Sequence, residues 1–378
     1  MSTTTAKRSN NSTASIASAP TPLLVVNGEK AQGNIQAMAD YCHQHKLGYR
    51  PHTKTHKSKQ VAKLQLAAGG SGLTVAKVGE ARIMAEVCDN LLIAYPTVDH
   101  ARCVEVADLA HDVRLMVAVD STVAVDALAG AAQRAGSTIG ILVDLDVGVG
   151  RTGLQSISDS VALARRVHQA SSLRLDGLFC YPGHISGTVA EQTPKLRQLS
   201  EFLEEAMDQW KQQGLPCETV SSGTSPTAFQ SHLVPELTEI RPGTNVFKDL
   251  NLTYGGYCQI EDCAARIITT VVSNAVPDQI VLDAGSKTLS SDLCGPAPHS
   301  GHGYIVEYPE AKIKRLTEEH AQVDVSACDH RPVIGERVSV IPNHICVCVN
   351  LQDRIWWQES GSAPEIQAWN VDARGKLS

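Results

Sequence analysis

A chain of 378 residues, 43% hydrophobic and 19% charged, has room for one large core and a smaller one, in the proportions of an ordinary globular protein. A formal net charge of −7 argues against a surface built for nucleic acid or an anionic membrane. No apolar run approaches the roughly 20 residues that span a bilayer, so no membrane-embedded part is expected.

Residues 1–20 are rich in Ser, Thr, Ala and Asn, with Lys7 and Arg8 and no acid. They lack the apolar centre of a secretory signal and read as a disordered leader, with a transit peptide as the alternative. Beyond them, β-rich runs alternate with amphipathic ones. The strand-like runs are Leu47–Arg50, Gly72–Lys77, Asn90–Tyr95, Arg114–Val119, Ile139–Asp146, Leu173–Tyr181, Glu218–Ser222 and Leu237–Arg241. Helical patterns lie between them at Lys30–His45, Glu80–Val87, Val123–Ala135, Ser158–His168 and Thr193–Gln213. Eight apolar strands separated by helices predict a parallel sheet buried on both faces, closed as a (β/α)₈ TIM barrel over residues 21–255. An open doubly wound sheet is the competing architecture.

After Gly255 the alternation stops. Arg266–Val272, Gln279–Leu282, Lys312–Leu316, Arg337–Ile341 and Ile355–Trp357 read as strands, which predicts a β-rich C-terminal domain over residues 256–378. The early run Leu23–Val26 is expected to pair with it. Eleven cysteines, an odd number without a CxxC pair, point to free thiols in a reducing, cytoplasmic setting, most of them small buried hydrophobes.

Chemistry on a parallel barrel gathers at the C-terminal strand ends. Here those ends read Arg50-Pro51-His52-Thr53-Lys54-Thr55-His56-Lys57, Asp144 through Gly153, Tyr181-Pro182-Gly183-His184, Ser221 through Thr227, and Arg241-Pro242-Gly243-Thr244. The last two follow strands seven and eight, where backbone N–H groups commonly hold phosphate. Ser222, Gly223, Thr224, Gly243 and Thr244 have the small side chains and hydroxyls for that task, although Ser-Gly-Thr-Ser-Pro alone is also an ordinary capping turn. A lysine at a strand end in a barrel mouth loses solvation and becomes a nucleophilic amine. Lys54 follows its strand directly and is expected to face the mouth, while Lys57 is expected to begin the next helix.

These motifs resemble the fold-type III pyridoxal-phosphate group that contains D-threonine aldolase and D-serine dehydratase. The resemblance extends, in order, to Leu282-Asp283-Ala284-Gly285, Glu318-Glu319-His320 and Pro342-Asn343-His344 through Leu351, and covers about residues 21–375. It implies that Lys54 bonds pyridoxal 5'-phosphate covalently, that Arg151 and Tyr181 lie near the cofactor, and that Ser222, Gly223, Thr224, Gly243 and Thr244 hold its phosphate. His52 and His184 near the mouth are candidate catalytic partners of Lys54. Asn245 departs from the tyrosine that relatives often carry there, so the phosphate shell is expected to differ.

His344 and Cys346 have the spacing that puts two side chains on one strand face, which alone also fits two buried residues of a β-core. The resemblance makes them a metal pair. Imidazole plus thiolate favours zinc, with manganese or magnesium as alternatives. The implied activity is that of a lyase on D-3-hydroxy amino acids. His-x-Cys resembles the dehydratases, whereas Val349-Asn350-Leu351 and Ala373-Arg374-Gly375 resemble the aldolases. The expectation is therefore retro-aldol cleavage to glycine and an aldehyde, with dehydration of D-serine or D-3-hydroxyaspartate as the alternative. An amino-acid racemase and a non-catalytic cofactor-binding protein are the remaining readings; the second lacks a reason for the 120 or so residues after Gly255. The resemblance also implies a homodimer.

Overall fold

Every residue of the run Ile139–Leu145 is buried, as a strand covered on both faces requires. The computed structural model describes residues 13–361, 363 and 365–378. Two short strands come first, β1 (Thr13–Ser15) and β2 (Leu23–Asn27), then helix α1 (Gly28–Gln44). The barrel follows as β3 (Gly48–Tyr49), α2 (Lys59–Ala67), β4 (Leu73–Val75), α3 (Val78–Met84), β5 (Asn90–Ile93), α4 (His100–Leu109), β6 (Arg114–Val119) and α5 (Thr122–Ala135). It continues through β7 (Ile139–Leu145), α6 (Ile157–Gln169), β8 (Leu173–Cys180), α7 (Val189–Gln212), β9 (Thr219–Ser222), β10 (Glu239–Ile240) and α8 (Leu250–Tyr254). All eight expected strands form. They pair in parallel in the order β3-β10-β9-β8-β7-β6-β5-β4, and a parallel bridge between His52 and Thr74 joins the two ends. The sheet closes, which rules out the open doubly wound alternative.

The helices start where their caps predict. Asn27 accepts from the Lys30 N–H at α1, Ser121 from the Ala124 N–H at α5, and Thr188 forms a capping box with Glu191 at α7. Ala31, Ile35, Met38 and Cys42 then form the buried stripe of α1 at helical spacing. Inside the barrel, Leu92, Met116, Ala118, Leu142 and Phe179 pack as a separate apolar cluster. Helix α2 starts two residues after Lys57, where a helix is expected, whereas α4 lies in none of the helical runs read from the sequence.

The chain ends in β11 (Ala265–Ser273), β12 (Gln279–Leu282), α9 (Ser286–Leu289), β13 (Tyr304–Ile305), β14 (Lys312–Leu316), β15 (Ala321–Asp324), β16 (Arg337–Ile341), α10 (Ile345–Leu351), β17 (Arg354–Gln358) and β18 (Glu365–Asn370). These strands form a ten-stranded sheet with β1 and β2. The early strand β2 lies between β11 and β17, as expected. Two expectations need correction. The later part of the leader is ordered, because β1 pairs antiparallel with β18; residues 1–12 of that leader lie outside the described residues. His344 to Cys346 is not a strand. β16 stops at Ile341 before Pro342, which has no N–H for a ladder. His344 is the N-cap of α10, and buried Asp249 accepts from the Ile345 N–H at 3.1 Å. That remote carboxylate starts a helix in a stretch whose β-branched residues read as a strand.

Candidate active site

The C-terminal ends of β3, β4, β5, β7, β8, β9 and β10 surround a mouth cavity of about 720 Å³. Lys54 sits on the single 3₁₀ turn Thr53–Thr55 that follows β3. This turn is tied to the neighbouring strand, because Thr53 Oγ1 donates to the Thr74 carbonyl at 3.1 Å. Lys54 is exposed and opens into the cavity, while the protein packed around the site still weighs on its amine. Burial first, then the guanidinium groups of Arg151 and Arg241, lower its pKa, against the opposing pull of Cys346 and Glu80.

Lys57 has a different fate from the expected helix start. Its backbone takes a left-handed φ of 50°, two residues before α2, and its buried ammonium pairs with Glu80 Oε1 at 3.1 Å and Asn350 Oδ1 at 2.8 Å. The tight return after the 3₁₀ turn forces that conformation, and Lys57 becomes a brace between barrel and α10. His52 lines the cavity but serves the turn. Its Nδ1 accepts from the Lys54 N–H at 3.4 Å, and burial, reinforced by Lys54 and Arg241, holds the imidazole well below its ordinary pKa and neutral.

Gly223 and Gly243 face the same cavity with Thr224 and Thr244. The N–H groups of these four residues donate to no group among the described residues. Gly223 has φ 96°, and a Cβ on Gly243 would stand 2.9 Å from Thr55 Oγ1 and 3.0 Å from the His52 carbonyl. Only glycine lets the loop after β10 lie this close to the lysine turn. Ser222 is not part of the cradle through its side chain. It is fully buried, and its hydroxyl accepts from the Cys180 thiol at 3.1 Å, because strand alternation turns Ser221 inward and Ser222 outward. Asn245 is likewise buried away from the cavity.

Arg151 and Tyr181 do come together, with the guanidinium 4.7 Å from the ring centroid, and both line the mouth. His184 does not join them. It is exposed beneath Gly148 and borders a separate groove with Asp146, Lys195 and Phe202, because the Pro182-Gly183 turn carries it past the rim.

His344 and Cys346 meet although they are not on a strand. His344 borders the mouth, and its Nδ1 lies 2.8 Å from Asp292 Oδ2. Contact with Cys346 is the largest cause raising the imidazole to about 9. Burial pushes the Cys346 thiol up, but the hydrogen bond and charge of His344 outweigh it and lower it overall. Thr55 Oγ1 lies 3.2 Å from its sulfur, so the pair touches the lysine turn itself. The other two positions of the supposed strand face point elsewhere: the Cys348 thiol donates to the Leu289 carbonyl and Asn350 accepts from Lys57. Among the described residues no group of three or more His, Cys, Asp or Glu side chains is arranged to hold an ion.

Several site residues carried no sequence signal. Asp249 anchors the start of α10, and burial raises its carboxyl to about 6. Asp292 fixes the His344 ring, and no motif surrounds either acid. Lys77 and Tyr95 also line the mouth, and the strand-end rule that located Lys54 could have located them.

A closed parallel barrel whose mouth sets a lysine amine of lowered pKa opposite unshared N–H donors is the arrangement of an enzyme that bonds a phosphorylated carbonyl cofactor. The chain belongs to the family described as alanine racemase, N-terminal domain, which matches residues 26–251; residues 264–357 match a putative serine dehydratase domain. The family is pyridoxal-phosphate dependent. The chain is 28% identical over 366 residues to the D-threonine aldolase of Arthrobacter sp, covering 95% of this chain and 94% of that one. It is 29% identical over 353 residues to the D-threo-3-hydroxyaspartate dehydratase of Delftia sp. (strain HT23), covering 86% and 90%. The crystal structure of D-threonine aldolase from Filomicrobium marinum superposes with a TM-score of 0.89 at 26% identity, covering 96% and 97%. Among the described residues no helix is long and apolar enough to cross a membrane.

Proposed function

We propose that the chain is a pyridoxal-phosphate- and divalent-metal-dependent lyase of D-3-hydroxy amino acids, cleaving them to glycine and an aldehyde. The observation that carries this reading is the single mouth shared by Lys54, the cradle of Gly223, Thr224, Gly243 and Thr244, and His344. The residues fit the cofactor: an amine with a lowered pKa for its carbonyl, and free N–H donors for its phosphate. When bound, the cofactor supplies an electron sink for the pair released as a bond to Cα breaks. Arg151, pinned on Tyr181, is the cation poised for the cofactor's ring oxygen.

His344 and Cys346 would hold the metal, with zinc favoured by the imidazole–thiolate set and manganese or magnesium as alternatives. Asp292 engages Nδ1 of His344 and leaves Nε2 for the ion, the usual way a carboxylate orients a ligating histidine. A metal there supplies Lewis acidity toward the substrate hydroxyl. Asp249 positions both ligands by fixing the first turn of α10. The thiol in this pair favours the second reading, dehydration to a 2-oxo acid and ammonia, as in the Delftia relative. We take the barrel and the β-rich region to divide the work at about residue 255, in a cytoplasmic homodimer. The free thiols of all eleven cysteines support the reducing compartment.

Product analysis on a panel of D-3-hydroxy amino acids tests the proposal. Glycine plus aldehyde identifies the aldolase, and ammonia plus 2-oxo acid the dehydratase. A chelator should abolish turnover while the absorbance of the bound cofactor persists, and zinc or manganese should restore it. Absence of both product pairs from a cofactor- and metal-loaded protein would refute the lyase reading.

A further inference from the structure

Lys77 closes the C-terminal end of β4 and lines the same cavity as Lys54. It is half-buried, with its Nζ 3.7 Å from the centroid of the Tyr95 ring. The ring holds the ammonium in place but accepts none of its three N–H bonds in the way a carboxylate would. Lys54 and Arg151 stand open to the cavity, Arg151 against the Tyr181 ring, whereas three other cations nearby are satisfied. Lys57 is paired with Glu80, Arg50 with Glu239 at 2.7 Å, and Arg241 donates to Ser221 and to the Cys180 carbonyl. Glu80, the acid on the helix that Lys77 begins, has both oxygens in use, one by Lys57 and the other by the Ala76 N–H at 2.7 Å. Among the described residues Lys77 has no hydrogen-bond acceptor and no carboxylate.

We infer that Lys77 receives the side-chain carboxylate of an acidic substrate, so that D-3-hydroxyaspartate rather than D-threonine is what this mouth is shaped to select. The inference rests on the lyase reading and sharpens its substrate. It follows from an inventory of anionic groups and their receivers. The cofactor's phosphate would take the cradle N–H groups, and its ring oxygen would take Arg151. On the lyase reading, the substrate's α-carboxylate and hydroxyl would be received by the metal that His344 and Cys346 would hold. A D-3-hydroxy amino acid with a neutral side chain then leaves Lys77 without a partner in a partly dehydrated wall, whereas a second carboxylate satisfies it. Lys77 lies across the lysine turn from the phosphate cradle, on the β4–β5 side, so it does not compete for the phosphate.

The test compares the loaded wild-type enzyme with Lys77→Met, which keeps an apolar stem over Tyr95 and removes the charge, and with Lys77→Arg, which keeps the charge. The readout is kcat/KM for D-threo-3-hydroxyaspartate divided by that for D-threonine. A charge-assisted hydrogen bond corresponds to a factor of about ten or more. The ratio should favour hydroxyaspartate in the wild type, fall at least about tenfold in Lys77→Met, chiefly through KM, and be largely kept in Lys77→Arg. Inhibition by succinate relative to butyrate should weaken in parallel. A wild-type preference for D-threonine, or a ratio unchanged by Lys77→Met, overturns the inference. If neither substrate turns over, the lyase reading fails instead. Calorimetric titration with succinate, compared between wild type and Lys77→Met, then decides whether Lys77 binds a carboxylate.

Discussion

Glu239→Gln should destabilise the protein by about 3 kcal/mol, because this one carboxylate serves two buried arginines beneath the mouth. Its Oε2 receives Arg50 Nε at 2.7 Å, and its Oε1 receives the Ser221 hydroxyl at 2.5 Å. Ser221 in turn accepts from Arg241 Nη1 at 2.7 Å, and Arg241 stacks 3.8 Å from the centroid of Phe179. All four polar residues are buried. The glutamine has the same shape and keeps one acceptor, so the loss belongs at the lower end of the roughly 3–5 kcal/mol for breaking a buried pair. Urea unfolding followed by fluorescence measures it as a lower midpoint at an unchanged slope. Arg50→Met combined with Glu239→Gln should cost less than the sum of the two single changes by at least about 1 kcal/mol, because the second change no longer strands a charge. A single-mutant loss below about 1 kcal/mol, or strict additivity, would show that the network contributes shape rather than charge pairing.

Burial raises the Asp144 carboxyl from the usual 3.8 to about 6, with Thr152 donating to it at 2.9 Å. The folded protein therefore holds a proton between about pH 4 and 6 that the unfolded chain releases, so this group's contribution to stability falls as pH rises through that window. Asp144→Asn should gain on wild type from pH 4 to 6 and stay ahead by about 2–3 kcal/mol above it; a thermal-unfolding difference independent of pH would contradict the burial argument. Gly243→Ala places a Cβ 2.9 Å from Thr55 Oγ1 and should weaken cofactor retention about tenfold or more, with wild-type affinity in an absorbance titration as the refuting result.

Much of the fold was legible because its causes are periodic and local. Continuous apolar runs such as Ile139–Leu145 form strands for the same reason they read as strands, since both faces must be covered. Asn27 and Ser121 cap helices within two residues of the starts read at Lys30 and Val123, whereas the Thr188 capping box starts α7 at Val189, ahead of the expected Thr193. The strand-end rule likewise places Lys54, Arg151, Tyr181, Gly223 and Gly243 at one mouth, where all five are found.

What local pattern could not decide were the matters settled by distant partners. Ile345–Leu351 reads as a strand until Asp249, about a hundred positions earlier, caps its first turn. Lys57 reads as a helix start until Glu80 and Asn350 converge on its ammonium, and His184 looks as close to the mouth as Tyr181 until the chain turns it beneath Gly148. Ser221 and Ser222 are chemically identical in the sequence; only the barrel's inside and outside distinguish them. The sequence alone therefore determined the eight barrel strands in order and the residue types gathered at the mouth, because those follow from bonds and burial within a few residues. Tertiary structure decided which of those side chains act at the site, since desolvation and charge pairing depend on neighbours that the linear order does not reveal.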